Sequence, residues 1–310
     1  MATHLPPDAA AFLQDLLASC RDERGGKLTE YLPEFPTTDP ETFAVAVATV
    51  EGEVVHAGDH GHVMTLQSMS KPFIYGLALD RLGRQEVHRK VSVEPTGEAF
   101  NSIIELEEDH LPYNPMINSG AIAMSALLHH AQPRQAAGTI MEMFGNYLGR
   151  QAALHPAVDA SALAGGHRNR AIAHLLRHFE VIGDDIEGAL ALYARQCVVA
   201  VDTVDLALMA ATLANGGVHP RTGQRALARE HLRDVLTLMF TCGMYDSSGN
   251  WAYTVGLPAK SGVSGGILAV VPGRFGLAVY SPRLDAHGHS VRGVQVFRRW
   301  APAWRLGMFD

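Results

Sequence analysis

The sequence predicts an α+β fold: one antiparallel sheet, assembled from segments near both ends of the chain, packs on helices and encloses a mostly helical half. Three observations predict it. Residues 42–56 (TFAVAVATVEGEVVH) are rich in β-branched residues and alternate, with Glu51-Gly52 as turn chemistry between the two runs. Ile267–Val271 and Gly276–Ser281 have the same character far down the chain, and between Pro112 and about Asn215 the apolar residues recur at helical spacing. One domain spanning 1–310 is expected, with 27–110 and 218–310 forming the sheet-containing half and 111–217 the mostly helical half.

Each element has its own signal. Residues 7–20 open on Pro-Pro-Asp and carry Phe12, Leu13, Leu16 and Leu17 at helical spacing, so a leading helix is expected before the hairpin. From Ser68 onward, Lys71-Pro72-Phe73-Ile74-Tyr75 suits a helix whose proline lies in the first turn, where a missing N–H costs nothing. Ser68 then sits at the helix mouth. Helices follow over Asn118–His130, Arg134–Leu148, Asn169–His178, Asp185–Gln196 and Thr203–Ala214, the last closed by Asn215-Gly216-Gly217. A helix over Ala228–Phe240 precedes a Gly- and Ser-rich stretch, 243–266, then the paired strands and an amphipathic helix over Ser290–Leu306.

Composition excludes whole classes of function. Of the 310 residues, 47% are hydrophobic and 18% charged, which rules out disorder and coiled coil, and no apolar run approaches the ~20 residues of a membrane span. The net charge of −7 argues against a nucleic-acid or anionic-membrane surface, leaving small-molecule chemistry. Cys20, Cys197 and Cys242 show no metal or disulfide spacing and read as buried thiols, and the first residues lack a secretory pattern, so the cytoplasm is expected. Sixteen histidines invite a metal, yet His129-His130 and His56, His60 and His62 lack an accompanying carboxylate at ligand spacing, and no metal is expected.

Ser68-Met69-Ser70-Lys71 is a Ser-x-x-Lys at a helix start, and its spacing puts both side chains on one face, where an amine can serve a hydroxyl nucleophile as base. A lysine near its ordinary pKa of about 10.4 is too basic for that work at neutral pH. Partial burial and a second cation would both lower it. Lys260, in Lys260-Ser261-Gly262 just before a predicted strand, is the expected cation, and this triplet matches the Lys-[Ser/Thr]-Gly element of serine β-lactamases and penicillin-binding proteins. The chain holds only four lysines, Lys27, Lys71, Lys90 and Lys260.

Further polar clusters lie where loops meet apolar helices: 94–102 (EPTGEAFNS), 114–121 (NPMINSGA), His167-Arg168-Asn169 and 242–249 (CGMYDSSG). With 67–72 (QSMSKP), 210–217 (AATLANGG) and 256–267 (GLPAKSGVSGGI), they resemble the serine-dependent glutaminase family from about Lys27 to Arg299. The resemblance implies a β-lactamase-like fold, no cofactor, a small amide such as glutamine as the partner molecule, and a homodimer or homotetramer. It implies Ser68 as nucleophile, Lys71 as base, Tyr245 as a catalytic tyrosine, and the backbone N–H groups of Ser68 and Val263 as the oxyanion hole. Asn118, Asn169, Tyr193 and Tyr31 match positions that hold the bound amino acid.

One position departs from the family. A glutamate expected seven residues before Asn169, to hold the substrate's α-ammonium group, is here replaced: the pair reads Ser161-Ala162. Loss of one partner of a desolvated charge pair costs about 2–5 kcal/mol. Asp159 is the nearest upstream acid. Three readings follow: a glutaminase that tolerates the loss, an amidase for a related substrate without a free α-ammonium, and a non-catalytic descendant that binds a metabolite or partner. The retained Ser68, Lys71, Tyr245 and Lys260 argue against the third.

Overall fold

The computed structural model describes residues 4–29, 38–98, 102, 106, 110–156, 158 and 166–310. The chain opens with α1 (Ala9–Cys20) and the hairpin β1 (Ala44–Thr49) and β2 (Val54–Gly58), followed by the short β3 (Met64–Thr65) and the long α2 (Lys71–His88). The helical stretch supplies α3 (Asn118–Ala131), α4 (Ala136–Leu148), α5 (His167–His178) and α6 (Ile186–Cys197). After β4 (Ala200–Val201) come α7 (Thr203–Ala214), α8 (Leu232–Cys242) and α9 (Ser248–Thr254). Strands β5 (Ala259–Ser261), β6 (Gly266–Val271) and β7 (Phe275–Tyr280) and the helix α10 (Val291–Trp304) complete it.

Five strands form one antiparallel sheet in the order β2-β1-β7-β6-β5, so the N-terminal hairpin joins the C-terminal strands through β1 and β7. Val45 lies opposite Val279 and Ala46 opposite Ala278, and the period of two then sorts every side chain to a face. Val45, Val47, Ile267, Leu277 and Val279 pack with Leu13 and Leu17 of α1 and Phe297 and Trp300 of α10. Ala46, Ala48, Leu268, Val270 and Ala278 face the other way, toward Leu206, Ala207 and Ala210 of α7 and the rest of the helical stretch. Small residues on this second face let α7 come close. A Cβ on Gly276 would lie 2.0 Å from the Ala211 nitrogen, so glycine is required there.

Helix ends follow sequence chemistry. Asp185 accepts from the Gly188 N–H to start α6, and Asp202 and Asp205 form a reciprocal capping box at α7. Asn215-Gly216-Gly217 closes α7 with both glycines at positive φ and the Gly217 N–H on the Thr212 carbonyl. Three features depart from expectation. The predicted helix from Ala228 begins as a 3-10 turn at Arg229–His231; part of the Gly- and Ser-rich stretch forms α9 and the edge strand β5; and β3 pairs with β4 in a separate two-stranded sheet. The last two have too few residues for a periodic signal.

The first face also holds a cation. Arg292, on the opening turn of α10, is fully buried and donates to the carbonyls of Arg21, Glu23 and Glu41 and to the Glu41 carboxylate. Its guanidinium carbon lies 5.4 Å from the Phe43 ring. The loop before β1 is thereby tied to the C-terminal helix. No helix among the described residues is long and apolar enough to cross a membrane.

Candidate active site

Strand β3 delivers the chain to a sharp bend. Gln67 takes a left-handed φ of 47°, after which Gln67–Ser70 form a 3-10 turn that runs into α2 at Lys71, with Pro72 in its first turn. Ser68, Ser70 and Lys71 are all buried at this junction. The Lys71 ammonium nitrogen donates to Asn118 Oδ1 at 2.7 Å, and Asn118 Nδ2 donates to Asn169 Oδ1 at 3.1 Å. Thus the first turns of α2, α3 and α5 meet at one point.

The other wall is the edge strand β5 and the loop after it. A Cβ on Gly262 would lie 3.1 Å from the Leu66 carbonyl oxygen, and one on Gly266 only 2.4 Å from Met69 Cε, so this glycine-flanked loop rests directly on the bend that carries Ser68. Val263 is half-buried there, and neither its N–H nor that of Ser68 has a hydrogen-bond partner among the described residues. Two unpaired backbone donors, one at a helix start and one in the facing loop, are what an oxyanion needs. Gly243 lets the end of α8 touch β5, since a Cβ would fall 1.8 Å from the Ala259 oxygen.

Lys260 is wholly buried; its Nζ donates to the Gly243 and Ser261 carbonyls at 2.8 and 2.9 Å and lies 3.9 Å from the centre of the Tyr245 ring. Tyr245 has a left-handed φ of 51°, and its hydroxyl donates to the Ser261 carbonyl at 3.3 Å. It also shares a hydrogen bond with the Ser68 side chain. Because the carbonyl can only accept, the phenol proton points to it and Ser68 donates to the phenol oxygen. Burial pushes the phenol up to about 12, so it is protonated at neutral pH.

Burial pushes Lys71 down to about 7, against a smaller opposing pull from Cys197. Both expected influences on Lys71, burial and a second amine, are present, with burial the larger. Burial is the first cause at both lysines, and they lie close enough for the charge of one to disfavour the charge of the other, with Lys260 well below its ordinary range. With no carboxylate paired to it among the described residues, a buried amine at this pKa is a usable base.

Tyr193 and Cys197 stand one turn apart on α6, close enough for each to shift the other's pKa, while the Ser70 hydroxyl donates to the Gln67 carbonyl. Burial raises both, the Cys197 thiol to about 11. Cys197 therefore belongs to the site wall, where the sequence showed only a buried thiol; the i, i+4 spacing from Tyr193 was the available signal. Ser261 and His289 were likewise missed. Tyr31, Asp159, Ser161 and Ala162 lie outside the described residues. Among the described residues no three His, Cys, Asp or Glu side chains gather as metal ligands.

Known proteins agree over nearly the whole chain. The family model described as Glutaminase matches residues 26–309. A glutaminase of Trichormus variabilis is 46% identical over 98% of this chain and 91% of its own length, and one of Corynebacterium glutamicum is 44% identical over 93% of this chain and 70% of its own. Among solved structures, Mglu in its glutamate form superposes with a TM-score of 0.92 at 40% identity, covering 99% of this chain and 71% of that one. A Bacillus glutaminase superposes at 0.87 with 34% identity, covering 97% and 99%. These neighbours share the β-lactamase-like α+β architecture described above. On both sequence and fold, the chain belongs to the glutaminase family.

Proposed function

We propose that this chain hydrolyses L-glutamine to L-glutamate and ammonia through an acyl-enzyme on Ser68, with neutral Lys71 as the base. The observation that carries this reading is a fully buried Lys71, pushed down to about 7, three residues after a buried serine whose hydroxyl meets Tyr245. Ser68 Oγ forms a bond to the side-chain amide carbon while its proton passes to Lys71. The oxyanion is held by the Ser68 and Val263 N–H groups. The C–N bond then breaks, and the nitrogen leaves as ammonia with the proton that Lys71 had taken, relayed past the protonated phenol of Tyr245. Water attacks the acyl carbon and gives a proton to Lys71, and as the ester bond breaks Lys71 returns that proton to Ser68 Oγ, freeing glutamate and restoring the neutral amine. Asn118, Asn169, Tyr193 and Tyr31 are assigned to holding the amino acid's α-groups, and Lys260 to fixing the Tyr245 ring and the Ser261 carbonyl.

The Ser161-Ala162 pair favours a second reading, an amidase for a related amide whose α-nitrogen carries no charge. A non-catalytic descendant is disfavoured, because two buried lysines without carboxylate partners among the described residues are costly unless used. The reading also takes the chain as a cytoplasmic homodimer or homotetramer. Three buried free thiols support the compartment, and the family resemblance supports the assembly. Ammonia release from glutamine and from N-acetylglutamine, with mass spectrometry of Ser68 after acid quench, tests the reading. Turnover of glutamine with an acyl adduct on Ser68 is expected; preference for the acetylated amide supports the second reading, and no adduct with either contradicts the mechanism.

A further inference from the structure

Tyr245 is held more elaborately than its burial alone requires. Its φ of 51° is uncommon for a residue with a side chain and persists only where neighbours fix it. Ser248 Oγ accepts from the Met244 N–H and donates to the Tyr245 carbonyl. From the loop before α10, His289 reaches the same turn. Its Nε2 lies 3.1 Å from the Met244 carbonyl oxygen and its Nδ1 2.9 Å from Ser261 Oγ. The ring, 2% exposed, lies nearly parallel to the Tyr245 ring, 11° between planes and 5.3 Å between centres. Next to it His287 pairs with Asp246 at 2.9 Å.

The bonding and the burial of His289 together set its state. A carbonyl can only accept, so Nε2 carries a proton, and with the imidazole neutral Nδ1 accepts from the Ser261 hydroxyl. Burial, and the charges of Lys260 and His287, push it down to about 4 against Asp285 and Asp246, in keeping with that form. His289 therefore bonds the residue before Tyr245 and the residue after Lys260, while packing on the phenol ring itself.

We infer that His289 is the positioning residue for Tyr245: a neutral imidazole, clamped between Met244 and Ser261, that holds the phenol against Ser68. The inference rests on Tyr245 acting at Ser68, as proposed above. A phenol displaced from Ser68 harms the proton transfers more than substrate binding, so the loss falls mainly on kcat.

Steady-state kinetics of His289→Leu and His289→Gln, each in the parent and in the Tyr245→Phe background, tests this. His289→Leu lowers kcat by at least about tenfold with KM changed less than about threefold, but lowers it less than about twofold once Tyr245 is Phe. His289→Gln keeps a donor at the Nε2 position and stays within about threefold of the parent. Equal losses from Leu in both backgrounds, or a Leu variant as active as the parent, overturn the inference. Should His289→Leu yield no folded protein, Ser261→Ala, which removes only the hydroxyl donated to His289, replaces it with the same two outcomes. Tyr245→Phe alone reports on the underlying reading: full activity there overturns the role of Tyr245 and leaves His289 nothing to position.

Discussion

Cations are buried on both sides of the sheet, and their surroundings differ. On the α1 and α10 side, Arg292 meets three carbonyls and the Glu41 carboxylate, so its donors are spent on fixed partners. On the α7 side, Lys71 has a neutral Asn118 oxygen and Lys260 two carbonyls, with no carboxylate paired to either among the described residues. A partnered charge stabilises the connection it makes. A buried amine without a counter-ion instead gives up its proton, which costs stability and creates a base.

The largest expected effect is on the Lys71 side. Ser68→Ala and Lys71→Met each lower glutamine turnover by about 10⁴-fold or more, and the double variant loses little beyond either, because nucleophile and base act as one unit. Additive losses would show that they act separately. Lys71→Met should also resist denaturant better than the parent at pH 7, while Arg292→Met unfolds about 3 kcal/mol more easily because carbonyls are left unpaired, with kcat of the folded fraction unchanged. Urea melts of the two variants check this contrast; loss of stability in both would erase it.

The pH dependence carries a sign. Lys71 is depressed in the fold from 10.5 to about 7, so between those values the unfolded chain binds a proton that the native chain does not. This group's contribution therefore makes stability rise with pH across that window, and the advantage of Lys71→Met shrinks from pH 7 toward pH 10. Activity should rise through about pH 7 as the amine loses its proton. A kcat profile flat from pH 6 to 8 would contradict the assignment.

Smaller effects probe the oxyanion donors and the missing carboxylate. Val263→Pro removes the N–H and lowers kcat about a hundredfold, whereas Val263→Ala keeps most activity; circular dichroism controls for the fold of the proline variant. Ala162→Glu lowers KM for glutamine by about tenfold if the chain works on the free amino acid, and harms turnover if the true substrate lacks an α-ammonium. The direction of the change discriminates the two.

Much of this was legible in the sequence, for identifiable reasons. Two runs of alternating β-branched residues and a helical middle implied the sheet and its partners, and Ser68-x-x-Lys71 with Lys260-Ser261-Gly262 marked the two walls of the site. Strand β5 escaped because Ala259–Ser261 is three residues of no characteristic pattern, made a strand by pairing with β6. Arg292 reads in the sequence as the polar face of an amphipathic helix, and only the returning loop at Arg21 and Glu23 buries it. His289, one of sixteen histidines, is distinguished by residues more than twenty-five positions away, so no local signal could mark it. The cause of the Lys71 shift was also nonlocal: the other lysine was in the sequence, but the depth of burial was not.

Direct titration of Lys71 tests the central claim. With only four lysines in the chain, ¹³Cε–lysine spectra of the Ser68→Ala protein, assigned by Lys71→Met, resolve each amine. A midpoint for Lys71 near pH 7 is predicted, far below the ordinary lysine value of about 10.4. A midpoint above about pH 9 would leave Lys71 protonated at neutral pH and contradict its role as the base.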